Sequence, residues 1–280
     1  MNRMAEVTAT VAEVVRETPD AVTLKLDLGG AAFLYRPGQY IEIDPHQFPE
    51  LAERIAALEA AKGMPESPRG FSLCSDGTDP RFLEISVKED KAGKFPPLLT
   101  PLMVREIGPG RKIVLAGPQG RYSLPETPPA AAGFLHLCAG SGVAPNRGMI
   151  RSALARGWPQ RHLLVLQNRT EADVFYRDEW FDLLKRHGDR FKIRHVFSVA
   201  SGEHVSADLL RHEMEGFIQG PTSMALVCGP NRPRDVATPD GSHRREPGFC
   251  ELWCGNPRRK VPGLLEPLGF TPDRILTEMW

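Results

Sequence analysis

Polar and apolar residues alternate through 7–11, 21–26, 40–43, 82–87 and 112–115, and this period of two predicts five strands. Turn residues separate them: Gly29-Gly30, Pro37-Gly38, Asp76-Gly77 and Gly108-Pro109-Gly110. Short strands with that punctuation suggest a small antiparallel barrel. One stretch breaks the pattern. Over 48–62, Leu51, Ile55 and Leu58 recur at helical spacing, with Pro49 near the start and Gly63 just after. This predicts a helix inserted between two strands (residues 45–68), most simply a lid on the barrel, with a partner-docking surface as the second reading.

Pro125, Pro128, Pro129 and Ala130-Ala131-Ala132 mark a linker, and beyond it the grammar changes. A continuous apolar strand is predicted at 134–138 and further strands at 162–167, 191–197 and 224–228, with helices over 145–156 and 177–187 between them. Alternating strand and helix implies a parallel sheet with crossovers. The expected domains are residues 1–127 and 131–280. Ile275 and Leu276 suggest one more strand leading to the last residue, Trp280.

Composition narrows the classes. Lys plus Arg is 35 and Asp plus Glu is 35, so formal charge is zero, which argues against a general nucleic-acid binder. No signal peptide and no bilayer-spanning run is expected. Five scattered cysteines suit a reducing cytoplasm better than a disulfide framework. No metal site is expected. Cys250 and Cys254 lack a second pair, and His136, His162, His187, His195, His204, His212 and His243 show no zinc spacing.

Three segments carry candidate chemistry. Gly140-Ser141-Gly142-Val143-Ala144-Pro145 lies between a strand and a helix. Its glycines let backbone approach a diphosphate, and the helix start offers free N–H groups. In Arg69-Gly70-Phe71-Ser72, the guanidinium suits a diphosphate, the phenyl ring a flat ligand, and the hydroxyl a ring nitrogen. Cys228-Gly229-Pro230 follows an apolar strand and has no base adjacent in sequence.

Together with Arg36-Pro37-Gly38-Gln39-Tyr40, Asn168-Arg169-Thr170 and Glu278-Met279-Trp280, these segments resemble the ferredoxin–NADP reductase-like flavoprotein superfamily, from about Val7 onward. The resemblance implies a six-stranded antiparallel Greek-key barrel that binds FAD, then a Rossmann-like parallel-sheet domain that binds NAD(P)H. It assigns Arg69, Gly70, Phe71, Ser72, Ser75, Val87, Lys88 and Thr100 to the flavin. Gly140 through Pro145, Asn168, Arg169, Tyr176, Arg177, Cys228, Gly229 and Pro230 fall to the nucleotide. Ser72, Cys228, Glu278 and Trp280 are the implied catalytic set.

Cys254-Gly255 offers a second candidate for the Cys-Gly element, and Trp280 could stack on flavin or on the FAD adenine. Ser198-Val199 stands where NADPH-specific relatives carry Ser-Arg, which favours NADH, although Arg169, Tyr176 or Arg177 could compensate. The implied activity is hydride transfer from NAD(P)H and onward delivery to a separate ferredoxin, flavodoxin or oxygenase component. A flavin-binding subunit without catalysis is the competing reading.

Overall fold

The computed structural model describes residues 5–91, 94–230, 234–237, 243–246 and 263–279. The chain packs as two compact units. One holds Met1–Leu124 with Arg147–Ala155, the other Pro125–Asn146 with Arg156–Trp280.

In the first unit the strands are β1 (Glu6–Thr18), β2 (Ala21–Asp27), β3 (Tyr40–Ile43), β4 (Arg69–Ser72), β5 (Phe82–Lys88) and β6 (Lys112–Gln119). They form an antiparallel sheet of order β4-β3-β6-β1-β2-β5. The long β1 serves two neighbours: residues 6–10 pair with β6 and residues 10–18 with β2. Register shifts after Val11 and Arg16 give it the bend this requires. The ends of the sheet meet where Leu73 bridges Ile85 and the Cys74 N–H donates to the Glu84 carbonyl at 2.9 Å. Closure into a barrel removes the free edges.

The period of two is what fills the interior. Val22, Leu24 and Leu26 point inward from β2 and meet Ile41, Ile43, Leu83 and Ile85. Burying each such side chain contributes about 1.5–3 kcal/mol. The insert is helical only from Ala52 to Lys62 (α1). Two 3-10 turns start at Pro45 and Pro49 instead, and Gly63 ends the helix in the left-handed conformation. Phe48, Leu51 and Ile55 join the barrel core, so the insert packs against it. A second helix, α2 (Leu99–Arg105), was not expected; its apolar run and internal Pro101 conceal a helical pattern.

In the second unit, β7 (Gly133–Ala139), β8 (Arg161–Asn168), β9 (Phe191–Phe197), β10 (Met224–Gly229) and β13 (Ile275–Met279) make a parallel sheet of order β13-β10-β7-β8-β9. A separate hairpin pairs β11 (Arg234–Ala237) with β12 (His243–Glu246). β7 and β8 are buried on both faces and mostly apolar, with His136 and His162 as buried polar exceptions. Helices α4 (Arg177–His187) and α5 (Ala207–Met214) lie between strands; α5 is announced by Ser206, whose hydroxyl accepts the Leu209 N–H at 3.1 Å.

The 145–156 helix begins two residues early: α3 runs Val143–Ala155. Its residues 147–155 pack in the first unit. There the Arg147 guanidinium donates to Glu84 Oε2 (2.7 Å) and to the Cys74 carbonyl (3.2 Å), while Arg151 reaches Glu84 and Asp76. Gly148 permits this seat, because a Cβ there would lie 2.7 Å from the Ser75 carbonyl oxygen.

Candidate functional site

Five parallel strands share one carboxyl edge, and the second unit's expected residues collect there. The strand order fixes the place further. From β7 the chain builds outward through β8 and β9, then returns to add β10 on the other side of β7. Strand order therefore reverses between β7 and β10, where ligands of open α/β sheets bind.

Directly after β7, Gly140 takes φ +53° with open space where a Cβ would project. The Val143 N–H turns back to the Gly140 and Ser141 carbonyls, and the thirteen-residue α3 follows with no acidic residue in its first turn. Val143 and Ala144 are buried and anchor the turn, while Ser141 stays partly exposed. A left-handed glycine with room above it, at the positive end of a helix, suits an anion.

β10 ends on Gly229, and Pro230 follows directly. Register sets Cys138, Cys228 and Glu278 in one row across β7, β10 and β13. Cys228 is fully buried, with Sγ 3.9 Å from Glu278 Oε2. Burial first, then the Glu278 carboxylate, pushes this thiol well above its ordinary range. It is therefore a neutral thiol at neutral pH, unsuited to nucleophilic attack. Trp280 and the rival Cys254 lie outside the described residues, as does Cys250.

At the ends of β8 and β9, Asn168 is buried, and its amide nitrogen and oxygen lack a hydrogen-bond partner among the described residues. Such a group costs about 1–3 kcal/mol unless a ligand or water meets it. The Asn168 carbonyl accepts the Ser198 N–H at 2.9 Å, and the Arg169 carbonyl accepts that of Val199. Tyr176 sits in the left-handed region at φ 58°, with its ring edge-on to Trp180 in the core. Arg177 is exposed and paired with Glu171.

In the first unit, Arg69 begins β4, 39% exposed and 3.4 Å from Asp90 Oδ2, so its donors remain open to a diphosphate. Gly70 is exposed beside the Tyr40 ring. Phe71 is 8% exposed and joins the barrel core, as does Val87. Ser72 is partly exposed, and Lys88 lies 3.5 Å from Asp20. Thr100 Oγ1 accepts the Asp90 N–H at 3.1 Å. Ser75 Oγ accepts both the Tyr35 hydroxyl (2.6 Å) and the Glu84 N–H (3.1 Å). Burial pushes the Tyr35 phenol up to about 12, so it stays a donor.

Sequence reasoning had passed over Tyr35, and also a buried set formed by His136, His162 and Asn146. No local motif marks them, because each contact joins residues from different elements.

A family model described as the oxidoreductase NAD-binding domain matches residues 137–234. Ferredoxin--NADP reductase B of Sorangium cellulosum is 28% identical over 216 residues, 72% of this chain and 77% of that protein. The ferredoxin reductase component of the 3-ketosteroid-9-alpha-monooxygenase of Mycobacterium tuberculosis is 28% identical over 229 residues, covering 79% of this chain and 57% of that protein. The chain spans about half the length of most curated relatives it matches. Among solved structures, an Amycolatopsis cytochrome P450 reductase, GcoB, shares the fold over 99% of this chain and 70% of its own, with TM-score 0.70 and 21% identity.

Proposed function

We propose that this chain, which belongs to the ferredoxin–NADP reductase-like flavoprotein superfamily, takes a hydride from NAD(P)H onto FAD and passes electrons to a separate acceptor protein. The observation that carries this reading is the strand-order reversal between β7 and β10, with the open glycine turn on one strand and Cys228 on the other. FAD, when bound, supplies the chemistry of accepting two electrons together and releasing them singly.

The residues present fit both groups. Backbone N–H groups of the 140–145 turn bind the nucleotide diphosphate. The unpartnered Asn168 amide meets its adenosine end, with Arg169, Tyr176 and Arg177 around it. Cys228, neutral and small, shapes the wall for the nicotinamide, and Glu278 is the neighbouring carboxylate. Arg69 and Lys88 neutralise the flavin diphosphate, and Thr100 lies beside it as a neutral hydroxyl. Ser72 offers its hydroxyl to the flavin ring, while Phe71 and Val87 support the strands beneath.

NADH is the preferred donor. Val199 follows Ser198 where an arginine would favour a 2′-phosphate, and Glu171 already engages Arg177. The acceptor is a ferredoxin, flavodoxin or oxygenase component. Steady-state assays with ferricyanide and with a ferredoxin test the reading. Higher kcat/KM for NADH than for NADPH is expected with both acceptors; the opposite ratio removes the donor preference, and no turnover with either nucleotide removes the activity.

A further inference from the structure

The second unit contains a polar chain inside an otherwise apolar sheet. His136 (β7), His162 (β8) and Asn146 (α3) are all fully buried. His162 Nδ1 lies 3.0 Å from His136 Nε2, His136 Nδ1 lies 2.7 Å from Asn146 Oδ1, and Asn146 Nδ2 donates to the Gly142 carbonyl at 3.2 Å. The two imidazoles stack, with centroids 5.3 Å apart, and Phe134 covers His162 at 5.0 Å.

The protons can be placed from one end. The Gly142 carbonyl only accepts, so the Asn146 NH₂ must face it and the Asn146 oxygen must face His136. His136 then carries its proton on Nδ1, leaving Nε2 bare. His162 must therefore donate from Nδ1, and its own Nε2 is bare, without a partner among the described residues. Both rings are neutral, because burial drives His136 down to about 4 and His162 well below its ordinary value. Every link points the same way, from His162 to Gly142, and such chains strengthen cooperatively.

A buried chain of this kind carries an energetic risk wherever a link is missing. Its end point is the third residue of the glycine turn. We propose that Asn146 and His136 are positioning residues that fix the Gly142 peptide, holding the 140–145 turn in its binding shape before a nucleotide arrives. This rests on the reading of that turn as the nucleotide cradle. Preorganisation of this sort raises affinity without touching the ligand. His162 supports the set by fixing the His136 tautomer.

The test uses the FAD-loaded full chain. Long-range imidazole correlations should show Nδ1 protonated and Nε2 bare in both histidines. Without nucleotide, amide hydrogen exchange at residues 141–144 should speed up about five- to tenfold in His136→Phe, the scale of one buried hydrogen bond of ~1 kcal/mol. The same variant should weaken NAD⁺ and NADP⁺ binding by a similar factor. His136→Asn restores a donor facing Asn146 and should recover most of both effects. Should His136→Phe fail to fold, Asn146→Ser takes its place with the same expectations.

Exchange and affinity both unchanged in a folded variant, or no recovery in His136→Asn, overturn the positioning role. Failure of the unmodified protein to bind either nucleotide overturns the cradle reading on which the proposal rests. Faster exchange alone, with normal binding, would show that the chain holds the turn but does not tune affinity, which also overturns the proposal.

Discussion

Cys228 and Glu278 face each other on paired parallel strands, thiol to carboxylate at 3.9 Å, although fifty positions separate them in sequence. Burial first, and this contact second, keep the thiol protonated, and the contact gives the carboxylate a fixed neighbour at the β7–β10 reversal. Cys228→Ser keeps the size but changes the polarity of this wall. Hydride transfer should slow about tenfold, equivalent to ~1.4 kcal/mol, with flavin content unchanged. Stopped-flow reduction checks this. The same loss in Cys254→Ser, with Cys228→Ser unaffected, would reassign the Cys-Gly element.

Arg69 stands on β4 with its guanidinium partly in solvent and, among the described residues, a long contact to Asp90. Replacing it by Ala should weaken FAD binding by about 1.5–3 kcal/mol, the scale of a charge-assisted hydrogen bond. Equilibrium dialysis reads this directly. Full flavin retention after dialysis counts against Arg69 as a diphosphate ligand.

Much of the fold was legible because it is written locally. Apolar residues at every second position in β2 (Val22, Leu24, Leu26) and β5 (Leu83, Ile85, Val87), and mostly apolar stretches in β7 and β8, signal how many faces are buried. β4 was not legible: four residues including Gly70 carry no period, and pairing with β3 defines the strand. The glycine turn and Cys228 could be found as motifs. The His162–His136–Asn146 chain could not, since parallel register between β7 and β8 and a helix turn create it. The early start of α3 has a similar cause, because a proline is compatible with the first helical turn and does not mark its first residue.

Stability should fall on acidification through His136 and His162. Both have folded values depressed below 6.5, so the unfolded chain binds protons that the folded chain excludes. Their contribution is fully present above pH 6.5 and is lost as pH falls toward about 4, where His136 titrates in the fold. Arg190 adds to the depression at His162. Each contributes a slope of up to ~1.4 kcal/mol per pH unit. Urea midpoints between pH 6.5 and 4 should therefore drop less steeply in His162→Phe than in the unmodified chain; equal slopes would refute this assignment.

Arg147 is 8% exposed at its side chain and shares Glu84 with Arg151. Glu84→Ala removes the carboxylate that Arg147 and Arg151 share, while the Asp76 carboxylate still acts on both guanidiniums. Breaking such a pair from one side costs about 3–5 kcal/mol, and the partial exposure of Glu84 points to the lower end. Denaturant unfolding of the first unit should show this loss, whereas a change under ~1 kcal/mol would mean that water already screens the pair.

The most direct measurement is anaerobic titration of the FAD-loaded chain with NADH and, separately, NADPH. The account predicts loss of the oxidised-flavin absorbance at about one equivalent of NADH, with a slower loss under NADPH. Full retention of that absorbance after excess of both nucleotides would contradict it.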